Sequence, residues 1–195
     1  MSPRVRNKIR HAFNVFDYRL IDQTFLKENG YHIIAETFAD YAVSDRTMNE
    51  KVFKNYLASQ KFDCWGVFDK KNDTLIGFIC VRQWKDSCEY DLSGMIPRYK
   101  RNGSYPYYGL YHTLNRYYLE EQGFRYVSDG SRSITEHSNI HDFLIQNFNF
   151  RKAYCHLQVQ YNWWMKIAVK LLYPFRRIIT NRRVKAILNM EGMTH

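Results

Sequence analysis

The chain has 195 residues, 45% hydrophobic and 17% aromatic, enough for one sizeable core without staples and too few for a second full domain. Its formal net charge of +10 sits at the ends: Arg4, Arg6, Lys8 and Arg10 have no acid in residues 1–10, nor have Lys166, Lys170, Arg176, Arg177, Arg182, Arg183 and Lys185 in residues 163–190. Residues 11–162 carry as many acids as bases, so the partner implied by the charge meets the two ends, and the body need not carry a broad footprint for an anionic ligand. Cys64, Cys80, Cys88 and Cys155 show no CxxC pairing or zinc spacing and read as reduced, mostly buried thiols of a cytoplasmic protein. The basic N-terminus lacks a secretory apolar region, and no apolar run is long enough to span a bilayer.

Residues 13–43 are rich in aromatic side chains, and Asn29-Gly30 marks a turn between two short elements. Residues 47–60 predict a helix capped by Ser44 or Thr47, with Met48, Val52, Phe53, Tyr56 and Leu57 at helical spacing. Two strand-like runs, 64–68 and 74–81, joined by the polar link 69–73, form a hairpin central to a sheet. Residues 88–96 are a third strand, left by the loop 97–104, and Pro106 opens a helix that Gly123 stops. A short strand at 124–128 ends at Asp129-Gly130, and Ser138 caps a helix with the stripe Ile140, Phe143, Leu144 and Phe148. Residues 153–161 alternate apolar and polar and predict a final strand. Strands alternating with helices after an antiparallel hairpin give an α/β (α+β) fold, a mixed central sheet flanked by helices.

This order, over residues 47–161, resembles the GCN5-related N-acetyltransferase superfamily. The strand at 88–96 corresponds to the acyl-transfer edge, residues 98–104 to the phosphate loop, and Asn149-Phe150-Arg151 stands where Gly-Phe-Arg is usual. The loop departs from the family pattern: Ser104 stands for the first Gly and Pro106 for the second Gly or Ala, while Ser138 replaces a usual Asn and Ile145 a frequent catalytic Tyr. The resemblance implies a phosphopantetheine thioester as donor, acyl-coenzyme A or acyl carrier protein.

Arg98, Lys100, Arg101, Asn102, Gly103 and Ser104 lead into a helix N-terminus, where free N–H groups and the positive dipole end attract phosphate; a solvated basic turn is the alternative. Glu89 and Asp91, two apart on a strand, present carboxylates to one face, where either could take the proton of an attacking amine, or form a structural ion pair. Backbone N–H groups around Gly94 are candidates for the oxyanion. Asp129, Ser131 and Arg132 follow a parallel strand, where ligand loops gather, or form a capped turn. His137 and His141 are four apart without a third ligand, so an acid or base role is weighed rather than a metal site. His112 and His156 read as surface or structural residues.

The chain divides at this level into one acyltransferase-like domain, 1–162, and a basic amphipathic C-terminal extension, 163–195. Trp164, Ile167, Ala168, Leu171, Leu172 and Phe175 recur at helical spacing opposite Lys166, Lys170 and Arg177, with Pro174 as a break. Two placements compete: the apolar stripe packs on this protein or a second subunit, as in a homodimer, or it lies in an anionic membrane surface through residues 163–190. Nucleic acid is less favoured, given the neutral body. The function read from the sequence is N-acyl transfer from a coenzyme A or acyl-carrier thioester to a small-molecule or lipid-like amine, in the cytoplasm or peripheral to the membrane. The alternative is a non-catalytic acyltransferase-like domain that binds a membrane surface, protein or RNA.

Overall fold

A computed structural model describes residues 1–40, 48–130, 140–154 and 158–192. The chain forms two units, Met1–Ser131 with Ile140–Phe150, and Arg132–Asn139 with Arg151–His195. The basic N-terminal segment is a helix, α1 (Pro3–Val15), with Pro at its first position and the Ser2 hydroxyl accepting from the Val5 N–H at 3.4 Å. Val5, Ile9 and Ala12, spaced four and three apart, are its buried face, while Arg4, Arg6 and Arg10 remain in water. Charge on the exposed face hid this helix from the sequence reading. Next come β1 (Phe16–Ile21), α2 (Gln23–Asn29) and α3 (Tyr31–Ala39). The Asn29-Gly30 turn separates α2 from α3, as expected. A β-carbon at Gly30 would lie 2.6 Å from a Leu26 methyl and 2.7 Å from the Leu26 carbonyl oxygen, so the sharp turn requires glycine.

The helix expected over residues 47–60 is α4 (Glu50–Ala58), capped by Asn49, whose side chain accepts from the Val52 N–H at 2.8 Å; Ser44 and Thr47 lie outside the described residues. The hairpin is β2 (Asp63–Asp69) and β3 (Thr74–Gln83), followed by β4 (Ser87–Met95). What reads as a loop after β4 contains a short helix, α5 (Pro97–Arg101), before α6 (Pro106–Asn115), which continues as a π-helical turn, Arg116–Glu121. Only three residues make β5 (Tyr126–Ser128), and α7 is Ile140–Phe148. Ser138 lies outside the described residues.

The strands run β1-β2-β3-β4-β5 across one sheet, antiparallel except for the parallel pair β4-β5. This is the mixed, helix-covered sheet that the sequence predicts. Almost every residue of β2 and β3 is buried, because helices pack on both of their faces. Phe53 of α4 meets Phe78 of β3, with ring centroids 5.9 Å apart. On α6 and its π-helical extension, Tyr111 stacks near Tyr90 at 5.3 Å, and the Tyr118 hydroxyl accepts from the Trp65 indole at 3.1 Å. A β-carbon at Gly109 would fall 2.2 Å from the Tyr18 hydroxyl, which itself donates to the Pro106 carbonyl at 3.1 Å. Glycine inside α6 thus lets β1 approach the helix closely. Cys64, Cys80 and Cys88 are buried free thiols; burial raises the Cys88 thiol to about 12 and makes it a poor nucleophile. Cys155 lies outside the described residues.

In the second unit, α8 (Trp163–Leu172) runs into a 3₁₀ turn at Tyr173–Phe175, and α9 (Arg182–Glu191) follows. Pro174 therefore divides the tail, one of the two outcomes its position allows. Val169 of α8 and Leu188 of α9 are buried, and the two helices touch. Trp164, Leu171 and Phe175 are exposed, at 55%, 67% and 56%, so α9 does not cover the stripe. The final strand expected at 153–161 does not form in its described residues, 153–154 and 158–161; Cys155, His156 and Leu157 lie outside them. Alternation records which side chains could share a face, but a strand also needs a neighbour to complete its ladder.

Truncating Phe53 to Ala should cost about 3–5 kcal/mol in urea unfolding, since the ring is fully buried against Phe78. Val52→Ala, next to it but exposed, should change stability by less than about 0.5 kcal/mol.

Candidate active site

β4 positions the candidate chemistry. Its ladder with β5 joins Ser87 to Tyr126, Cys88 to Val127 and Glu89 to Ser128. From Tyr90 to Met95 β4 continues without a β5 partner among the described residues, an edge opened in that sense. A register shift against β3 pairs Cys80 with Leu92 and Val81 with Tyr90, so Asp91 is the extra, bulged residue. Such a bulge bends the strand and re-aims its side chains.

Glu89 and Asp91 have separate surroundings. The Asp91 carboxylate accepts from the Tyr56 hydroxyl and pairs with the Arg82 guanidinium, and its side chain is only 12% exposed. Burial, then the bond to Asp91, raises the Tyr56 hydroxyl to about 12, so Tyr56 stays protonated and keeps donating. Glu89 lies against Gly130, where a β-carbon would come within 2.6 Å of its carboxylate oxygen. Gly130 has a φ of +75°, and its N–H reaches the Ser128 hydroxyl at 3.0 Å. This turn brings Asp129 near Glu89. The Asp129 carboxylate also stands 3.2 Å from Nε2 of His141 on α7. Burial raises the Asp129 carboxyl to about 6; the Glu89 charge adds to the rise, and His141 opposes it. Where the two strands part, two carboxylates and an imidazole gather, with one acid tuned close to neutrality.

Asp129 and His141 were each weighed from the sequence, but their meeting was not read from it. The signal available was the carboxylate just past a parallel strand. Ser131, Arg132 and His137 lie outside the described residues. His112 packs edge-on against Phe13 at 5.8 Å, and burial lowers its pKa. Among the described residues no group of three or more His, Cys, Asp or Glu could hold a metal ion.

Gly94 pairs with Phe78 of β3. A β-carbon there would meet the Phe78 ring at 3.0 Å and Ile33 at 3.3 Å. The Ile96 N–H bonds the Ile76 carbonyl of β3 at 2.9 Å, whereas the Met95 N–H bonds the Thr37 hydroxyl at 2.9 Å. Antiparallel alternation therefore turns the Gly94 N–H toward β3 and the Ser93 N–H toward the opened edge.

The expected phosphate loop carries its charges unequally. Lys100 pairs with Asp40 at 2.8 Å and Arg101 pairs with the same carboxylate. The Lys100 hydrogen bond first, then both charges, hold Asp40 below the usual carboxylate range. Arg98 has no carboxylate partner among the described residues, and its guanidinium lies 5.1 Å from the centre of the Tyr99 ring. Asn102 accepts from the Ser104 N–H at 3.0 Å, and the Ser104 hydroxyl donates to the Tyr99 carbonyl at 3.1 Å. Gly103, at φ +76°, has open space where a side chain would stand.

Tyr105 caps α6 in the left-handed region, φ +59°, without a side-chain hydrogen bond to the first turn. That conformation costs a tyrosine of order 1 kcal/mol or more. Rings hold it there: His11 at 6.0 Å and Tyr108 at 5.7 Å. The Lys8 ammonium sits 4.9 Å from the Tyr105 ring centre and donates to the Tyr108 hydroxyl at 2.9 Å. Lys8 therefore belongs to the mouth of α6, a placement that its sequence position in a basic arm does not reveal.

Between about pH 4 and 6 the folded chain keeps a proton on Asp129 that the unfolded chain has released. Stability should fall as pH rises through that window. Asp129→Asn should remove this fall and stabilise the fold at pH 8 by about 1–3 kcal/mol, read from urea midpoints at pH 4 and 8.

A scan of family models finds no match for this sequence, and a search of curated proteins finds none either. Solved structures do match. The ribosomal-protein-alanine N-acetyltransferase of Brucella melitensis biovar Abortus 2308 aligns over 75% of this chain and 99% of its own, at a TM-score of 0.55 and 12% identity. An aminoglycoside acetyltransferase from an uncultured soil metagenomic sample, in complex with sisomicin, covers 77% of this chain and 99% of its own at a TM-score of 0.52 and 14% identity. The PaiA N-acetyltransferase of Thermoplasma acidophilum, in complex with coenzyme A, covers 68% and 87% at a TM-score of 0.50 and 15% identity. At 12–15% identity the likeness is one of fold, and the chain has the fold of these acetyltransferases, the one implied by its resemblance to the GCN5-related N-acetyltransferase superfamily.

Proposed function

We propose that the protein is an N-acyltransferase that moves an acyl group from a coenzyme A or acyl-carrier thioester to a small-molecule or lipid-like amine. The observation that carries this reading is the opened edge of β4, bulged at Asp91 and flanked at its start by Glu89, Asp129 and His141. The structures with the same fold include one in complex with coenzyme A and an aminoglycoside acetyltransferase in complex with sisomicin.

In the proposed reaction the amine nitrogen attacks the thioester carbonyl carbon, the carbon–sulfur bond breaks, and the thiolate leaves and takes a proton. The one proton that the amine gives up goes to a carboxylate of the Glu89–Asp129 pair, and the imidazole of His141 fixes the Asp129 carboxylate. An acid at about 6 is ionised at neutral pH yet basic enough to take that proton. Asp91, anchored by Tyr56 and Arg82, acts as a positioning residue that holds the bulge. Main-chain N–H groups at the opened edge beside Gly94 polarise the carbonyl, Ser93 being the one whose N–H is turned outward.

Donor phosphate is assigned to the mouth of α6, with Arg98, Lys100, Arg101, Asn102, Gly103 and Ser104 as its frame. Two observations fit a phosphate: the open space at Gly103, and Arg98 without a carboxylate partner among the described residues. Asp40 opposes it, because Lys100 and Arg101 must exchange a carboxylate for the incoming anion. That compensation is the observation favouring the second reading, a non-catalytic domain of the same fold.

Titration calorimetry with acetyl-coenzyme A and with acyl carrier protein separates the two. Arg98→Ala should weaken binding of the preferred donor about tenfold or more. Asp40→Asn should strengthen it about fivefold, the Coulomb energy of one nearby charge in water. Absence of donor binding in both the unaltered chain and the Asp40→Asn variant would reject the transferase reading. With an amine acceptor in hand, Glu89→Gln and Asp129→Asn should each lower kcat by about 10²–10⁴, followed through release of the free thiol.

A further inference from the structure

The most exposed apolar surface is on α8. Trp163, Ile167 and Leu171, four apart, form one row along the helix, and they are 77%, 53% and 67% exposed. Trp164 flanks this row. Phe175 and Ile178, also exposed, continue the apolar surface beyond the 3₁₀ turn. Side chains this large and apolar are seldom left in water along a contiguous row without a partner. The opposite side of α8 is already used, since Val169 is buried and α8 touches α9.

The charges beside this row identify the partner. Lys166 and Lys170 each follow a row member by three residues, so they form a parallel basic row beside it. Arg177 is exposed past the turn, as are Arg183 and Lys185 on α9. Residues 163–190 contain no acid. A second copy docked isologously on this face would set these cations against their own copies. Nucleic acid would match the charge but gain little from Ile167, Leu171 and Ile178, which neither stack on bases nor hydrogen-bond them.

An anionic bilayer surface matches both rows. We propose that α8 and the turn at Pro174 lie in the headgroup region of an anionic membrane, with Trp163, Ile167, Leu171 and Phe175 toward the acyl chains and the basic residues on the phosphates. A helix of ten residues is about 15 Å long, half the hydrocarbon thickness, so it lies along the surface. Consistent with this, no helix among the described residues is long and apolar enough to cross a membrane.

The test is flotation of the full chain with vesicles of phosphatidylcholine alone and with about one third phosphatidylglycerol, together with tryptophan emission. Binding should favour the anionic vesicles by more than tenfold and shift the emission to the blue. The double variant I167E/L171E changes only exposed positions and should abolish flotation while leaving circular dichroism and the thermal midpoint unaltered. K166Q/K170Q should weaken anionic-vesicle binding roughly twenty-five-fold, about fivefold per charge removed. Equal binding to both vesicle types, or binding retained by I167E/L171E, would overturn the proposal. So would failure to float combined with concentration-dependent dimerisation that I167E/L171E abolishes, because the face would then be covered by a second copy. Failure to float combined with RNA binding through the same residues would overturn it equally.

Discussion

The parting of β4 from β5 is the constraint on which the rest of the first unit depends. Parallel strands joined by a helix must stay paired somewhere for the crossover to hold, and among the described residues they do so from Ser87 to Glu89. The short β5 and the bulge at Asp91 then release the remainder of β4 as an edge within an otherwise covered sheet. An exposed edge of main-chain donors and acceptors is costly in water and prone to false pairing. This one is shielded in part by Thr37, which occupies both polar groups of Met95, and in part by the Tyr56–Asp91–Arg82 cluster. Between those positions lies Ser93, whose N–H antiparallel alternation turns away from β3.

Electrostatics follow the same geometry. Acids collect where the strands part, the Glu89 charge adding to the burial that raises the Asp129 carboxyl, with His141 as the compensating group. Cations collect further along the chain, at α5 and the mouth of α6, where Lys8 from α1 joins Arg98, Lys100 and Arg101. Acids at one end of the β4 edge and cations beyond the other are the arrangement that the proposed reaction uses for an elongated, phosphorylated thioester donor. Asp40 tempers the second feature. Its pairing with Lys100 and Arg101 neutralises the loop until a stronger anion competes, so an ordinary net-charge argument overstates the attraction of that loop.

Much of this fold was legible because β2, β3 and α6 combine dense β-branched or aromatic runs with clear turn residues, and hydrophobic patterning is the strongest local signal. α1 was not legible for the converse reason: four basic residues in ten obscure the spacing of Val5, Ile9 and Ala12. The described residues of 153–161 show the limit of periodicity, since they alternate without forming a ladder there. In the candidate site, the carboxylates of β4 could be named from a strand pattern, but the bulge that separates the surroundings of Glu89 and Asp91 depends on register with β3. The meeting of Asp129 with His141 depends on where α7 packs, and the burial that raises the Asp129 carboxyl has no local signature. On α8 the composition correctly marks an amphipathic helix, yet only the fold distinguishes the face with Val169 from the exposed row of Trp163, Ile167 and Leu171.

Amide hydrogen exchange with and without acetyl-coenzyme A, resolved to single residues, tests the central claim most directly. The opened-edge account predicts that the donor slows exchange at Ser93 and in the first turn of α6, at Tyr107 and Tyr108, while the amides shared by β2 and β3 stay unchanged. Donor binding that leaves Ser93 and the α6 turn unaltered, or that protects a different surface, would contradict it.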